Sequence, residues 1–264
     1  MSCSLRIGMV GGAGWLGGAI AASILDAHII APENLSLSYR REPSGRFPAS
    51  FWTTDNQELA DRSDVIILSV RPQDWPAVPI DASGKLIISV MAGIRVAALS
   101  ARHKTGRVVR ALPNAAADVS RSYTPWIASE TAFKEDRQIV RAIFGACGVE
   151  DEVESESDID YLTGLTGSGP AFPALLAAAM MEHAIDHGLA PDIARRAVST
   201  VLTGTGRLLE RSGECPGEIV RTFLDYRGTT AAAIEEMRAS GFDTAVRKGL
   251  SAAFTKSVSM GETS

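Results

Sequence analysis

The sequence predicts an α/β protein, in which an N-terminal doubly wound sheet of the Rossmann type is followed by an all-α C-terminal domain. A glycine-rich turn at residues 11–17 joins the first predicted strand to a helix. Short, continuous apolar runs then recur up to about residue 150, as in parallel strands that are covered on both faces. From Asp158 onward these runs stop, and long helical patterns replace them. We therefore expect two domains, at residues 1–155 and 156–264.

Composition restricts the class of protein. Apolar residues make up 45% of the 264 residues and charged residues 22%, which is normal for a folded globular protein. The net charge of −5, without a block of Lys and Arg, argues against nucleic acid as a partner. The longest apolar run, residues 171–181, is too short to span a bilayer, so no membrane partner is expected. Because Cys3, Cys147 and Cys215 lack metal-like spacing, we expect no metal and predict reduced thiols in a cytoplasmic protein.

The glycine-rich turn has the pattern of a dinucleotide-binding loop. It spells G-x-G-x-x-G between the apolar run 7–10 and a helical pattern. The first glycine allows a tight turn, the second lets a phosphate approach the backbone, and the third lets helix and strand pack closely. The helix N-terminus adds free N–H groups for a pyrophosphate. Gly11, just before the motif, leaves a one-residue shift of the loop open. The predicted contacts are Gly12, Ala13, Gly14, Trp15, Leu16 and Gly17.

The tip of the second predicted strand, residues 35–39, indicates the cofactor preference. NAD-specific sites usually have Asp or Glu at this tip, where it binds the ribose hydroxyls. Here the strand ends in Tyr39, Arg40 and Arg41, and planar guanidinium groups suit a 2′-phosphate. We therefore expect NADP(H) to be preferred, with NAD(H) left open. The structural alternative is a solvated turn with two surface arginines.

Three further strands are predicted at residues 65–70, 86–90 and 108–112, and each ends sharply. In open α/β sheets, ligands lie outside the carboxyl ends of the strands. We therefore expect these endings to line the nicotinamide side of the crevice. The cofactor-binding candidates are Val70, Arg71 and Pro72, then Met91, Ala92 and Gly93, and finally Pro113 and Asn114.

The second half is predicted to consist of helices at residues 171–187, 191–212, 216–224 and 228–240, and a last helix that is capped by Asp243 or Thr244 and ends near residue 260. One face of the first of these helices carries small residues, which suggests packing against a second copy, with a monomeric bundle as the alternative. His183 and His187 are interpreted as an exposed helix end rather than a metal pair. The acidic residues before the helices are interpreted as a solvated linker: Glu154, Glu156, Asp158 and Asp160.

Several motifs follow the glycine loop in a specific order. They are Ser69-Val70-Arg71-Pro72-Gln73, Met91-Ala92-Gly93-Ile94, Arg110-Ala111-Leu112-Pro113-Asn114, Leu165-Thr166-Gly167-Ser168-Gly169-Pro170-Ala171-Phe172 and Gly228-Thr229-Thr230. Over essentially the whole chain this series resembles the pyrroline-5-carboxylate reductase family. The resemblance implies NAD(P)H as hydride donor and a cyclic imine as acceptor, in the last step of proline biosynthesis. It also implies a C-terminal helical domain that forms homodimers, which often assemble further.

The resemblance suggests, by position, that Asn56 contacts the adenosine end of the cofactor. Reduction of a C=N bond needs hydride on carbon and a proton on nitrogen, and the protonated imine is already electrophilic. The protein must therefore orient the substrate with N–H groups and hydroxyls. Thr166, Thr229 and Thr230 are the candidates, although an ordinary N-cap is the alternative for the last two.

Two departures from the family pattern put the substrate in question. Where the family typically reads Ser/Thr-Pro-Gly-Gly-Thr-Thr, this chain has Asp225-Tyr226-Arg227-Gly228-Thr229-Thr230. Ala115-Ala116 also replaces the usual Thr-Pro after Asn114. Asp225 repels a substrate carboxylate unless Arg227 neutralises it, and Arg227 can itself anchor that carboxylate. A paralogue that reduces another cyclic imine therefore stays open.

Two other functions remain as alternatives. A 3-hydroxyacid dehydrogenase has a catalytic lysine in its helical half, whereas the only lysines of this chain beyond residue 134 are Lys248 and Lys256. A non-catalytic NADP-binding sensor would keep the cofactor loop and bind the cofactor without turning over any imine.

Overall fold

The computed structural model describes residues 5–262, so the prediction for Cys3 lies outside the described residues. The strands are β1 (Ile7–Val10), β2 (Leu35–Ser38), β3 (Phe51–Thr53), β4 (Val65–Leu68), β5 (Leu86–Ser89), β6 (Val108–Ala111), β7 (Ser122–Ala128) and β8 (Gly148–Glu152). The helices are α1 (Trp15–Asp26), α2 (Asn56–Asp61), α3 (Val96–His103), α4 (Lys134–Cys147), α5 (Glu156–Leu162), α6 (Ala171–Asp186), α7 (Pro191–Ser212), α8 (Pro216–Asp225), α9 (Thr229–Ala239) and α10 (Phe242–Glu262). Within residues 5–262, no helix combines the length and the apolar character that crossing a membrane requires.

The chain forms two compact units. The first comprises residues 5–168 together with residues 253–262, and the second is Gly169–Ala252. The first unit contains one sheet with the strand order β3-β2-β1-β4-β5-β6-β7-β8. From β3 to β6 all neighbours are parallel, so the carboxyl ends of these strands share one edge. The order reverses between β1 and β4, which is where ligands bind in such sheets. The predicted α/β class is confirmed.

Both faces of the sheet are buried, which explains the continuous apolar runs. Side chains at alternate positions of β4 enter different cores, Val65 and Ile67 on one face and Ile66 and Leu68 on the other. The first core includes residues of α1 and α4, and the second includes residues of α2 and α3. A strand that is covered on both faces therefore reads as a nearly continuous apolar run.

Three strands were not predicted from the sequence. The short strand β3 extends one end of the sheet beside β2. At the other end, β7 runs antiparallel to β6, and β8 is parallel to β7. Pro125 lies inside β7, and a proline usually argues against an interior strand because it lacks an N–H donor. Its carbonyl oxygen nevertheless accepts a hydrogen bond from the Leu112 N–H group.

The helices of the second unit agree with the predicted spans to within a residue or two, except at the start of the last helix. That helix begins at Phe242, so the prediction of a cap at Asp243 or Thr244 was wrong. Gly241, directly before it, has a φ of +89° and turns the chain into the new helix. His183 and His187 are exposed near the end of α6, as predicted.

His103 has a structural role in the second core of the sheet. The Trp75 indole N–H group donates to His103 Nε2 at 2.9 Å, and His103 Nδ1 lies 3.1 Å from the Ile80 carbonyl oxygen. Because Nε2 accepts, Nδ1 must carry the proton, which identifies the neutral tautomer. Burial holds the pKa of His103 below its usual 6.5.

Candidate active site

The glycine loop between β1 and α1 is shaped by contacts that exclude side chains. Gly11 has a φ of +81°, a conformation that favours glycine. A Cβ atom on Gly12 would lie 2.6 Å from a Leu37 methyl carbon, and one on Gly17 would lie 2.7 Å from the Gly11 carbonyl oxygen. Gly11 therefore makes the turn, while Gly12 and Gly17 allow close packing. The helix begins at Trp15, with Gly14 as its N-cap.

The N-terminus of α1 fits a dinucleotide pyrophosphate. Ala13, Gly14 and Trp15 are exposed, and no side chain caps the helix. The first N–H groups of a helix have no intrahelical acceptor, and the helix dipole favours an anion at this end. A loop of small residues lets a phosphate approach these donors closely. Leu16 is half-buried behind them.

The tip of β2 presents arginines beside this loop. Ser38 Oγ accepts a hydrogen bond from the Gly11 N–H group at 3.1 Å, which joins the loop to the strand. Tyr39 is half-buried, with its ring edge-on to Trp52. Arg40 and Arg41 are exposed, and Arg40 reaches the Asp74 carboxylate at 3.4 Å. Residues 38–41 of this tip therefore carry two cations and no carboxylate, and planar guanidinium groups suit a phosphate; the first carboxylate after them along the chain is Glu42.

The Asp74 carboxylate was not predicted from the sequence as part of this site. It accepts from Arg71 Nε at 2.8 Å as well as from Arg40, so it connects the ends of β4 and β2. The Arg71 guanidinium lowers the pKa of Asp74, which keeps the carboxylate charged. A carboxylate three residues after a strand-ending arginine is a detectable local signal, but its second partner, Arg40, is distant in sequence.

The predicted nicotinamide-side residues differ in how accessible they are. Val70, Pro72 and Ala92 remain half-exposed, whereas Met91, Gly93 and Pro113 are buried. Gly93 has a φ of +80°, and a Cβ atom there would lie 3.0 Å from the Met260 backbone. The end of α10 therefore covers Gly93, and the buried residues of this group shape the edge rather than face solvent.

Asn114 joins two segments of this edge through its side-chain amide. Its Oδ1 atom accepts from the Ala116 N–H group at 2.9 Å, and its Nδ2 group donates to the Thr166 carbonyl oxygen at 3.0 Å. Thr166 lies in a π-helical turn, Thr163–Gly167, that follows α5. Its hydroxyl donates to the Leu162 carbonyl oxygen, which leaves the hydroxyl oxygen able to accept. Asn114 thus holds the Thr166 backbone beside the end of β6.

A buried ion-pair cluster lies beneath this edge. Arg110 in β6 is fully buried, and its guanidinium donates to Glu156 Oε1 at 3.0 Å and to Asp160 Oδ1 at 2.6 Å. Asp160 also binds Arg95 at 2.8 Å, and Glu156 accepts from the Val96 N–H group. The interpretation of Glu156 and Asp160 as solvated linker residues was therefore wrong. They lie one helical turn apart on α5, and both face the buried arginine.

Glu154 and Asp158, the other two acidic residues that precede the helical domain, do not belong to this buried cluster. Glu154 is exposed, as predicted, while Asp158 forms a reciprocal capping box with Ser155 at the start of α5.

The remaining catalytic candidates lie in the second unit, around the start of α9. Gly228 is the N-cap of this helix and no side chain caps it, so the N-cap alternative for Thr229 and Thr230 was wrong. Both threonines are exposed. Arg227 has a φ of +52°, an unfavourable conformation for a side chain with a Cβ atom. Among the described residues, its guanidinium forms no ion pair, with Asp225 or with any other carboxylate.

Asn56 is the first residue of α2, next to the end of β3. Asp55 caps this short helix by accepting from the N–H groups of Gln57 and Glu58. Asn56 itself is half-buried, and its side-chain amide makes no hydrogen bond to another residue within the described chain.

Comparisons with known proteins cover both units. A family model described as pyrroline-5-carboxylate reductase dimerisation matches residues 156–260, and one described as NADP oxidoreductase, coenzyme F420-dependent, matches residues 6–93. The pyrroline-5-carboxylate reductase of Synechocystis sp. is 30% identical, over 98% of this chain and 99% of that protein. The enzyme of that name from Methanosarcina acetivorans is 32% identical, over 97% and 98%.

Solved structures agree with these matches. The structure of Plasmodium falciparum pyrroline carboxylate reductase with NADP bound has a TM-score of 0.85 at 25% identity, and the match covers 97% of this chain and 98% of that one. Sequence similarity along the full length and the shared fold lead to one conclusion. The chain belongs to the pyrroline-5-carboxylate reductase family.

Proposed function

We propose that this protein is an NAD(P)H-dependent oxidoreductase that reduces 1-pyrroline-5-carboxylate to L-proline. The observation that carries the proposal is its similarity to pyrroline-5-carboxylate reductases along the full length of the chain. The exposed helix N-terminus above the glycine loop agrees with it, because such a loop accepts a dinucleotide. The arginines at the tip of β2 favour NADPH over NADH.

The first unit is proposed to hold the cofactor. The loop Gly12–Gly17 binds the pyrophosphate, and Tyr39, Arg40, Arg41 and Arg71 surround the ribose 2′-phosphate. Asn56 contacts the adenosine end, since its side-chain amide makes no hydrogen bond to another residue within the described chain. When bound, a reduced nicotinamide supplies the hydride for the imine carbon, while the imine nitrogen carries a proton. Val70, Pro72, Met91, Ala92, Gly93, Pro113 and Asn114 form the strand endings that position the nicotinamide.

The second unit is proposed to hold the substrate carboxylate. The N-terminus of α9 has unsatisfied N–H groups, and Thr229 and Thr230 place two hydroxyls beside them. Arg227, which lacks an ion-pair partner in the described chain, is proposed as the charged anchor. Thr166, held beside the end of β6 within the first unit, is proposed as a further catalytic hydroxyl, because its oxygen retains a free lone pair.

We also propose that two chains associate through the helical domain. Helix α6 has no buried residue within the chain, although most of its residues are apolar. Large apolar side chains of the second unit are exposed as well, including Phe172, Leu175, Ile193, Val201, Leu208 and Phe223. A second copy of the same domain would cover this surface. We place the enzyme in the cytoplasm, where its free thiols Cys147 and Cys215 would stay reduced.

The reaction is tested by following NADPH oxidation by the purified protein with 1-pyrroline-5-carboxylate. Parallel assays use NADH, a piperideine carboxylate and an uncharged cyclic imine. Turnover of the pyrroline carboxylate with proline as product is the expected result. Tight NADPH binding without turnover of any imine would contradict the proposal and indicate a sensor.

A related imine is the second candidate substrate, because Arg227 replaces a glycine of the family pattern beside the proposed carboxylate site. Turnover of only the piperideine carboxylate or the uncharged imine would make this segment the determinant of substrate choice.

A further inference from the structure

Asp74 lies between two arginines that come from different strand tips. Arg40 follows β2 and reaches Asp74 Oδ2 at 3.4 Å. Arg71 follows β4 and donates to the same oxygen at 2.8 Å from Nε, and to Oδ1 at 3.4 Å from Nη2. One carboxylate therefore connects two separate strand endings.

The position of this bridge matters because β1 lies between β2 and β4. The three strands are parallel and in level register, with Met9 opposite both Leu37 and Ile67. A contact between the carboxyl ends of β2 and β4 therefore crosses the carboxyl end of β1. The glycine loop starts there, so the bridge spans the crevice in which the adenosine half of a dinucleotide binds.

The two sides of the bridge differ in how exposed and how firmly held they are. The Asp74 side chain is 24% exposed and belongs to a short 3-10 turn, whose N–H group at Asp74 donates to the Arg71 carbonyl oxygen. The Arg40 side chain is 77% exposed and is held by a single long contact. Arg40 is thus the group that can change partner at little cost, since exposed ion pairs are weak.

We propose that Asp74 determines cofactor specificity by competing with the cofactor's 2′-phosphate for Arg40. This inference rests on the proposed use of NADPH. A cofactor that enters the crevice must separate Arg40 from Asp74. A 2′-phosphate then replaces the carboxylate as the partner of Arg40, whereas the 2′-hydroxyl of NADH gives Arg40 no anion to bind. Breaking the bridge costs either cofactor the same contact, but the carboxylate left behind repels only the phosphate, so Asp74 lowers affinity for the phosphorylated cofactor more than for the other.

The test measures binding of two probes that differ only in this group, adenosine 2′,5′-bisphosphate and adenosine 5′-monophosphate, by titration calorimetry. For Asp74→Asn we expect the bisphosphate to bind about two- to fivefold more tightly, with less gain at higher salt. Binding of the monophosphate should change less than that of the bisphosphate. The matched control is Asp81→Asn. Asp81 is also an aspartate that is paired with a cation, Lys104, but it precedes β5 and so lies at the opposite edge of the sheet.

Arg40→Ala provides the second test. It should weaken binding of the bisphosphate, and adding Asp74→Asn to it should give little further gain, because the two residues act as a pair. An equal gain for both probes, a similar gain in Asp81→Asn, or weaker bisphosphate binding by Asp74→Asn would each overturn the inference. Failure of the unaltered protein to bind the bisphosphate would remove the NADPH preference and this inference together. A lack of imine turnover alone would contradict only the proposed reaction.

Discussion

Replacing Asp160 by Asn tests whether the buried cluster around Arg110 stabilises the first unit. The substitution keeps the shape of the side chain and removes its charge. Asp160 accepts charge-assisted hydrogen bonds from Arg110 and Arg95, and its side chain is only 3% exposed. At about 1.5–3 kcal/mol for each such bond, the two bonds predict a loss of about 3–6 kcal/mol. This agrees with the roughly 3–5 kcal/mol seen when one partner of a buried pair is removed.

The matched control is Asp64→Asn. Asp64 also binds an arginine, Arg6, at 2.6 Å, but the two side chains are 45% and 42% exposed. Exposed pairs contribute about 0.2–1 kcal/mol, so this variant should lose no more than that.

The assay is urea unfolding followed by intrinsic tryptophan fluorescence. Trp15, Trp52, Trp75 and Trp126 are the four tryptophans of the chain and all precede Ser168, so the signal reports on the first unit. Both variants are compared at one protein concentration, because association shifts apparent stability. A shift of the midpoint without a change of slope is the expected form of the loss. Equal, small losses in the two variants would refute the reasoning, because they would mean that Arg110 remains solvated.

Three further predictions concern His103, the glycine loop and Arg227. The first concerns pH: the free energy of unfolding should fall as the pH falls below 6.5, because His103 is buried in its neutral form with a lowered pKa, so the unfolded chain binds a proton that the folded one does not. Urea unfolding at several pH values measures this, and the His103→Gln variant should lose this part of the pH dependence. The second concerns the glycine loop: Gly17→Ala should abolish NADPH binding, measured by fluorescence titration, because the new Cβ atom would lie 2.7 Å from the Gly11 carbonyl oxygen. Gly18→Ala is the control and should bind NADPH normally, because its Cβ atom would lie no closer than 3.5 Å to any neighbouring atom considered. Arg227→Gly should raise stability by about 1 kcal/mol, by relieving the positive φ, and should raise KM for the carboxylate substrate; an unchanged KM would contradict the anchoring role.

The sequence was sufficient for the parts of the fold that depend on local pattern. The runs at β1, β4 and β5 were recognisable because both faces of the sheet are buried, which makes nearly every position apolar. Strand β7 was not recognisable from the sequence, because Pro125 interrupts its pattern and its antiparallel direction is set by tertiary pairing. The short strand β3 was missed for a different reason, since three residues carry too little pattern.

The candidate site was predictable only where its residues are close in sequence. The glycine loop is a local motif, and the structure places it between β1 and α1, as expected. Arg110 meets Glu156 and Asp160 across 46 and 50 residues of sequence, so spacing could not distinguish this cluster from a solvated acidic stretch. Asp74 and Arg40 are 34 residues apart in the sequence, so no local pattern predicts the contact between them.

The return of the last helix to the first unit has a consequence for how the protein is made. The end of α10 packs on the Gly93 backbone, and Phe254 contacts Tyr161 with ring centroids 5.9 Å apart. The first unit is therefore assembled from two stretches of chain, with the whole second unit synthesised between them. Domains usually fold in order as they leave the ribosome. Here the sheet can form early, but its covering at Gly93 must wait until the second unit and α10 have been translated.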